Sequence, residues 1–186
     1  EVRFGATVED FDGARVRLKS GEVIPAHTVI WAAGAQASRL ASQLGIPTAR
    51  QGRIAVGPTL QAPGHPEVYV VGDAAYFEQD GAALPMVAPV AMQMAETAAR
   101  NIVRTLRGEP LETFRYRDQG TLATIGRNAA VAAVFGLQLR GFPAWVMWLV
   151  VHIIQLIGFR NKLFVLLNWA WDYFFYERAV RLITRD

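Results

Sequence analysis

An acidic side chain follows an apolar run near the middle of the chain, where a strand of an α/β sheet would end. The run is VYVVGD at 68–73, so Gly72 precedes the carboxylate of Asp73. Ligands of open α/β sheets bind beyond the carboxyl ends of the strands. A carboxylate there repels phosphate but accepts hydrogen bonds from ribose or sugar-alcohol hydroxyl groups. Asp73 is therefore a candidate residue for binding a molecule with several hydroxyl groups. The alternative is a solvated residue of a turn.

A helix is predicted shortly after this carboxylate. Apolar residues have helical spacing over 87–106, Pro89 stands at a position permitted in a first turn, and Gly108 is a stop signal. The N-terminus of such a helix carries about half a positive charge. The helix start at Pro89 and Val90 would therefore stabilise negative charge on a ligand.

The first 34 residues precede these elements and are rich in turn signals. Residues 1–31 alternate between β-prone runs and the Asp-Gly and Ser-Gly pairs at 12–13 and 20–21. This pattern predicts a meander of two or three strands that ends in TVIWAAG, 28–34. Gly34 then permits a tight turn or a close approach of the backbone, or is an ordinary loop glycine.

Strands and helices are predicted to alternate along the following segment. SRLASQLG at 38–45 reads as a short helix, while RIAVG at 53–57 and EVYVVGD at 67–73 read as buried strands. The helix at 87–106 follows them. This alternation indicates an α/β fold.

The composition changes sharply after a predicted hairpin region at 109–141, since four of the five tryptophans follow it. Residues 142–159 form a run of 18 residues without Asp, Glu, Lys or Arg, which is the threshold for a membrane-spanning helix. His152 and Gln155 give that run a polar edge with Trp148. The next apolar run, 163–176, is short and contains polar residues. Two amphipathic helices that lie in a membrane interface fit this pattern better than a span.

Tryptophans prefer the headgroup region of a bilayer, and basic side chains meet anionic lipid. The residues expected to contact the membrane are Trp145, Trp148, Arg160, Lys162, Trp169 and Trp171, with Arg178, Arg181 and Arg185 as further basic groups. A homodimer or a core helix pair is the first alternative, and a true span is the second.

Charge and composition narrow the classes of function. Residues 1–99 carry 7 basic and 10 acidic side chains, whereas 100–186 carry 12 and 6, so the halves are −3 and +6. The basic half favours an anionic partner. A membrane surface fits better than nucleic acid, because the aromatic residues are embedded in aliphatic ones. Cysteine is absent, which excludes disulfides and thiolate metal ligands, and no metal site is predicted.

These motifs together resemble a known family. The apolar strand, Gly72-Asp73 and following helix resemble the second flavin-binding motif of FAD-dependent pyridine nucleotide oxidoreductases. TVIWAAG resembles the strand that closes their NAD(P)H domain. GTLATIGRNAAV at 120–131 and HIIQLIGFRNKL at 152–163 resemble type II NADH dehydrogenases, the single-subunit NADH:quinone oxidoreductases that pump no protons. The resemblance covers nearly the whole chain.

The resemblance implies the C-terminal part of a Rossmann-like flavoprotein with two dinucleotide-binding domains, followed by an amphipathic helical tail. On this reading 1–34 ends the NADH-binding domain, 35–108 belongs to the FAD-binding domain, and 109–186 holds the hairpin and membrane helices. Non-covalent FAD is the implied cofactor and NADH the substrate. The implied cofactor-binding residues are Gly34, Gly72, Asp73, Pro89 and Val90. The implied location is peripheral, on the cytoplasmic face of the cell membrane.

The resemblance also implies a quinone site, and here the sequence departs from the family pattern. Gln93 matches the second glutamine of the family helix, with a polar residue satisfied within the helix packing as the alternative, but Pro89 stands where the first would be. Proline has neither a side-chain donor nor a backbone N–H, so sterics would shape access there. His152 is a candidate proton donor beside Gln155, with a packed helix face as the alternative. Arg127 and His27 are interpreted as structural.

The chain contains no G-x-G-x-x-G turn after a strand, so the pyrophosphate-binding turns are expected before Glu1 and the chain alone is expected to be inactive. Sulfide:quinone oxidoreductases and disulfide reductases use redox cysteines, which this chain lacks. The alternative function is a non-catalytic membrane-attachment or dimerisation module of a degenerate flavoprotein.

Overall fold

The computed structural model describes residues 1–32, 34–134 and 136–175. The chain divides into two compact units, Glu1–Phe114 and Arg115–Asp186. The first unit is mixed α/β. The second has a small antiparallel sheet followed by two helices.

The predicted meander at the start of the first unit is confirmed. Strands β1 (Val8–Phe11), β2 (Arg15–Leu18) and β3 (Val23–Pro25) pair antiparallel in the order β1-β2-β3. At the first turn the Asp12 carboxylate accepts hydrogen bonds from the backbone N–H groups of Ala14 and Arg15. These two bonds hold the pKa of Asp12 below its ordinary value.

The strand predicted at 28–34 is wrong. Among the described residues between β3 and Arg39 no strand forms, and Ile30 and Trp31 are exposed. A β-prone run becomes a strand only where another strand pairs with it, and this run has no such neighbour in the described part of the chain. The short helix after it is confirmed as α1 (Arg39–Gln43), where the Ser38 hydroxyl accepts from the N–H of Leu40.

Six short strands follow α1: β4 (Ile54–Ala55), β5 (Gln61–Ala62), β6 (His65–Tyr69), β7 (Ala75–Tyr76), β8 (Glu78–Gln79) and β9 (Ala82–Ala83). Strand β4 pairs parallel with β7, whereas β5–β6 and β8–β9 are antiparallel hairpins. Single-turn 3₁₀ helices occur at Arg50–Gly52 and Gly72–Ala74.

For the buried strand predicted over 67–73, the predicted end and the predicted burial are both wrong. Strand β6 stops at Tyr69, and its residues 65–67 are exposed. The reason is the hairpin, because β6 pairs with β5 and the Val70 N–H then donates to the carbonyl of Leu60. The strand predicted at 53–57 is likewise shorter than expected. Gly72-Asp73 therefore lies in a 3₁₀ turn between β6 and β7.

The long helix is confirmed as α2 (Ala88–Arg107), with proline in its first turn and Gly108 in the left-handed conformation at its end. It buries Val90, Met94 and Ala98 against the core of the first unit. That core also contains Ile54, Leu60, Ala75 and Phe114.

Asn101 anchors α2 to two distant segments. Its side chain is fully buried, and its amide donates to the carbonyls of Thr59 and Glu112 at 3.1 and 2.9 Å. Its side-chain oxygen accepts from the N–H of Glu112 at 2.8 Å. The Glu112 carboxylate in turn accepts from Arg100 and Arg104. This network fixes the C-terminal half of α2.

The second unit begins with a sheet where only a hairpin was predicted. Strands β10 (Thr121–Gly126), β11 (Ala129–Val134) and β12 (Leu137–Gly141) are antiparallel in that order. Ala130, Ala132 and Val134 of β11 are buried against Ala144 of the following helix. The third strand pairs with β11 from Ala130 to Val134. The alternation of buried and exposed residues in β11 presents one apolar face of the sheet to that helix.

Two helices complete the second unit, as predicted: α3 (Phe142–Gln155) and α4 (Phe159–Phe175). Within the described ranges, no helix combines the length and the apolar character that a membrane crossing requires.

Candidate functional site

The Gly72–Ala74 turn lies against the start of α2. Gly72 has φ +64°, which a side chain rarely tolerates, and a Cβ added there would lie 3.2 Å from the Cβ of Ala91. Glycine therefore serves two needs at this position, the left-handed backbone and the close approach to the helix. The structure brings Gly72, Asp73, Pro89 and Val90 into one small region of the first unit.

Asp73 is exposed in this turn, and its side chain has no hydrogen bond or ion pair with a described residue. Its carboxylate is available to accept hydrogen bonds from hydroxyl groups.

Within the described residues, the positive end of α2 has neither a side-chain cap nor an acidic residue of its own first turn beside it. Val87 is the N-cap residue and makes no side-chain cap, and the first turn contains no acidic residue. The N–H of Val90 is already used, since it donates to the Val87 carbonyl at 3.1 Å, and Pro89 has no N–H. This helix end therefore offers an anionic group the positive end of the helix dipole, which no acidic residue of the first turn offsets. The turn and the helix start together suit a ligand that has hydroxyl groups and a negative edge.

The other predicted residues of the first unit differ in their surroundings. Gln93 is half-buried on α2 and has an interaction partner within the protein. Gly34 is exposed with φ +102°, and apart from its chain neighbours no described residue has an atom within 4 Å of a Cβ placed there. Backbone conformation, and not close packing, therefore requires glycine at 34.

Sequence reasoning missed Arg53, which is 4% exposed. Its guanidinium donates to the carbonyls of Ala75 and Leu84. Both acceptors lie in the segment between the Gly72–Ala74 turn and α2, Ala75 at its start and Leu84 after β9. Nothing in the sequence pattern distinguishes this arginine from exposed Arg50 three residues earlier.

In the second unit, His152 belongs to a stack of rings. Its imidazole lies 4.0 Å from the Trp148 ring, and Trp148 lies 5.5 Å from the ring of Trp169. The Nδ1 atom of His152 is 2.7 Å from the Trp148 carbonyl. A carbonyl only accepts, so Nδ1 carries the hydrogen and Nε2 is the nitrogen left for other partners. Gln155 is exposed one turn further along α3.

A groove of about 810 Å³ runs between α3 and α4. Its walls are mostly aliphatic and aromatic and include Trp145, Trp148 and Trp169. At one end Arg127 donates a hydrogen bond to the Tyr173 carbonyl, and its guanidinium lies 4.5 Å from the centre of the Tyr173 ring. Arg127 therefore joins the β10–β11 turn to α4, in keeping with a structural role.

The residues predicted to contact a membrane are not equally accessible. Trp171 is 53% exposed, and Arg160 lies over the Phe164 ring at 5.4 Å. Lys162 is half-buried, and its ammonium donates to the carbonyl of Ile154 at 2.9 Å. Part of its hydrogen-bonding capacity is therefore used at the end of α3. Arg178, Arg181 and Arg185 lie outside the described residues.

Comparison with family models assigns both units. Residues 1–95 match the model of the pyridine nucleotide-disulphide oxidoreductases, and 119–178 match the NDH2 C-terminal domain. The chain belongs to the type II NADH:quinone oxidoreductase (NDH2) family. It lies within the pyridine nucleotide-disulphide oxidoreductase superfamily, as the resemblance of its motifs indicated.

Curated relatives of the NDH2 family align with most of the chain. The type II NADH:quinone oxidoreductase Ndh of Mycobacterium tuberculosis is 39% identical over 99% of this chain. A type II NADH:quinone oxidoreductase of Staphylococcus aureus is 35% identical over 75% of it. The chain spans 41% of the first relative and 34% of the second.

Solved structures support the same fold. NDH2 of Plasmodium falciparum, determined in complex with NADH, superposes over 95% of this chain and 52% of its own, with TM-score 0.75 and 16% identity. The sulfide:quinone oxidoreductase of Aquifex aeolicus covers 97% of this chain and 47% of its own, with TM-score 0.62 and 16% identity. At these identities the likeness concerns the fold. The chain therefore has a mixed α/β architecture that matches part of the NDH2 fold and ends in C-terminal helices.

Proposed function

We propose that the chain is the C-terminal part of an FAD-dependent enzyme that passes electrons from NADH through FAD to a membrane quinone. Family membership supports this proposal. The observation that carries it is the contact of the Gly72–Ala74 turn with α2, which brings an exposed carboxylate close to an uncapped helix start. A flavin has ribityl hydroxyls and an edge that becomes negative on reduction, so these residues fit it.

Each candidate cofactor-binding residue of the first unit then has a defined role. The Asp73 carboxylate accepts hydrogen bonds from the ribityl hydroxyls, and the start of α2 at Pro89 and Val90 stabilises negative charge. Gly72 lets the turn approach the helix, and Gly34 supplies the turn that returns the chain to the FAD domain. Bound FAD would supply the two-electron chemistry, whereas these residues supply binding, orientation and electrostatics.

Quinone reduction gives a proposed task to residues of α2 in the first unit and, separately, to residues of α3 in the second. Gln93 would share its side-chain amide between its partner within the protein and the quinone. Pro89 cannot donate a hydrogen bond because it has no N–H, and it would shape access through the bulk of its ring. In its imidazolium form, His152 would give the proton on Nε2 to the reduced quinone and become the neutral imidazole whose Nδ1–H still donates to the Trp148 carbonyl. Gln155 lies one turn further along α3 and offers a second hydrogen bond.

The helices α3 and α4 would attach the enzyme to the cytoplasmic face of the cell membrane as a peripheral protein. Their exposed apolar residues and the excess of basic residues in this half of the chain support this part of the proposal. A homodimer is the competing use of the same helices.

The test is the absorption spectrum of the product of the complete reading frame. Flavin bands that bleach on addition of NADH and return on addition of quinone are expected.

Asp73→Leu should reduce the affinity for FAD by about ten-fold or more, since each lost hydrogen bond to a charged group contributes about 1.5–3 kcal/mol. Glu96→Gln, which removes an exposed carboxylate of α2, is the control.

The 186-residue chain by itself is expected to be inactive, because it contains no G-x-G-x-x-G turn. NADH-dependent quinone reduction by this chain alone would contradict the proposed division of tasks. A full-length product that purifies folded and without flavin, and does not take up added FAD, would favour the non-catalytic module.

A further inference from the structure

Arg53 is a buried cation in the first unit. It directly follows the Arg50–Gly52 turn, is 4% exposed, and forms no ion pair with a described residue. A guanidinium remains protonated in proteins, and burial of an unpaired charge is unfavourable. An apolar side chain of similar volume would fill the same space at lower cost. The role of Arg53 must therefore lie in the hydrogen bonds that its guanidinium makes.

Those hydrogen bonds join two segments that flank the proposed flavin site. The Nε atom donates to the carbonyl of Ala75 at 2.9 Å, and Nη2 donates to the carbonyl of Leu84 at 3.1 Å. Ala75 comes directly after the turn that carries Asp73. Leu84 is buried in the segment that leads into α2.

Only a forked side chain satisfies this geometry. Arginine presents its donors in a fixed plane, whereas lysine has a single nitrogen on a flexible stem. The guanidinium also lies 5.2 Å from the centre of the Tyr76 ring, which gives it an aromatic platform. The parallel pairing of Ile54 with Ala75 places the backbone of Arg53 beside its first acceptor.

We propose that Arg53 is a positioning residue for the flavin: it holds the turn of Asp73 and the segment that leads into α2 at a fixed separation, so that Asp73 and the start of α2 can contact one FAD. This inference rests on the proposed function. Arg53 acts through the two carbonyls and has no assigned contact with FAD itself.

The experiment measures FAD binding by the apo form of the product of the complete reading frame. Arg53→Lys preserves the charge but cannot bridge both carbonyls, and Arg50→Lys is the matched control on the exposed neighbouring arginine. The readouts are the Kd for FAD from quenching of flavin fluorescence, the visible circular dichroism of the bound flavin, and thermal unfolding of the apoprotein. We expect Arg53→Lys to bind FAD about ten-fold more weakly or worse and to change the visible dichroism. Arg50→Lys should match the wild type.

A second pair of variants covers the case in which Arg53→Lys does not fold. Tyr76→Leu removes the aromatic platform, whereas Tyr76→Phe retains the ring and removes only the hydroxyl that donates to Glu78. Weaker FAD binding by Tyr76→Leu, with wild-type binding by Tyr76→Phe, supports the proposal. Equal FAD affinity in both overturns it.

The outcomes separate the two proposals. If the wild-type product binds FAD and folded Arg53→Lys binds it with the same Kd and dichroism, the role of Arg53 is wrong while the proposed function stands. If the wild-type product binds no FAD, the proposed function fails and the role of Arg53 fails with it.

Discussion

Gly72 meets two constraints that substitution can separate. Its φ of +64° costs any residue with a Cβ roughly 1–2 kcal/mol, and its Cβ position is in addition tight against Ala91. Gly81 has φ +80°, but no other atom lies within 4 Å of an added Cβ, so it shares only the first constraint. We expect Gly72→Ala to lower the free energy of unfolding more than Gly81→Ala does. Urea denaturation of the two variants measures the difference, and equal losses would contradict the close approach.

Substitution of His152 tests whether this residue delivers a proton to the reduced quinone. In the complete reading-frame product, His152→Ala should lower the rate of quinone reduction by about 100-fold or more, because a positioned general acid typically contributes that much. Reduction of the flavin by NADH should continue at its original rate. Stopped-flow absorption separates the two half-reactions. His27→Ala is the control, and an unchanged rate of quinone reduction in His152→Ala would end the proposal.

Part of the candidate site can be predicted from residue types alone. Gly72-Asp73 and Pro89 stand out because glycine, an acid after an apolar run and proline each have strong local preferences. Arg53 does not stand out, since its role depends on two carbonyls that are 22 and 31 residues away in sequence. Contacts over such separations are set by the tertiary fold and leave no local pattern.

At the scale of elements, Glu112 joins the segment after α2 to the helix itself. Hydrogen bonds from Arg100 and then Arg104 hold the pKa of Glu112 below its ordinary value. A carboxylate whose pKa is lowered by folding contributes stability above its unfolded pKa, and that contribution is lost as the pH falls through the folded pKa. The effect therefore belongs to the acid range, below about pH 4.3.

We expect Glu112→Gln to lower the free energy of unfolding at neutral pH and to flatten its decline in acid. Thermal unfolding between neutral and acid pH would measure both changes. Glu96→Gln, on the exposed face of the same helix, should follow the wild-type profile. If Glu112→Gln loses stability in acid as steeply as the wild type, the ion-pair network does not contribute.

The sequence predicts helices better than strands in this protein, for a physical reason. Helix α2 carries its own signals, with proline in the first turn and Gly108 at the end, and its hydrogen bonds are local. The run at 28–34 has equally good β-forming residues but forms no strand in the described part of the chain, because a strand depends on a partner. The β5–β6 hairpin likewise takes residues that the apolar pattern assigns to a longer buried strand.

At the scale of the whole molecule, basic charge and exposed apolar side chains occur in the same half of the chain. Residues 100–186 have a net charge of +6, against −3 for 1–99. If α3 and α4 lie on a bilayer, the protein should bind vesicles that contain phosphatidylglycerol more tightly than vesicles of phosphatidylcholine alone. High salt should weaken the difference.

Sedimentation with vesicles measures this binding, and two variants locate it. Arg160→Gln should weaken binding to anionic vesicles by about five-fold, since each basic side chain near the surface contributes about 1 kcal/mol. Trp171→Ser should weaken binding to both kinds of vesicle. Trp31→Ser removes an exposed tryptophan of the first unit and should change neither. Failure of the wild type to bind either kind of vesicle would favour the homodimer.

The contacts between Arg127 and Tyr173 constrain the width of the groove of the second unit, and so the molecules that can enter it. They fasten α4 to the rim of a β-sheet, so the separation of α3 and α4 does not depend on helix-to-helix packing alone. A groove whose two helices are held at a constrained separation discriminates between ligands by their thickness. Flat or unbranched amphiphiles would slide between the helices, while bulky sterol-like detergents would stay outside.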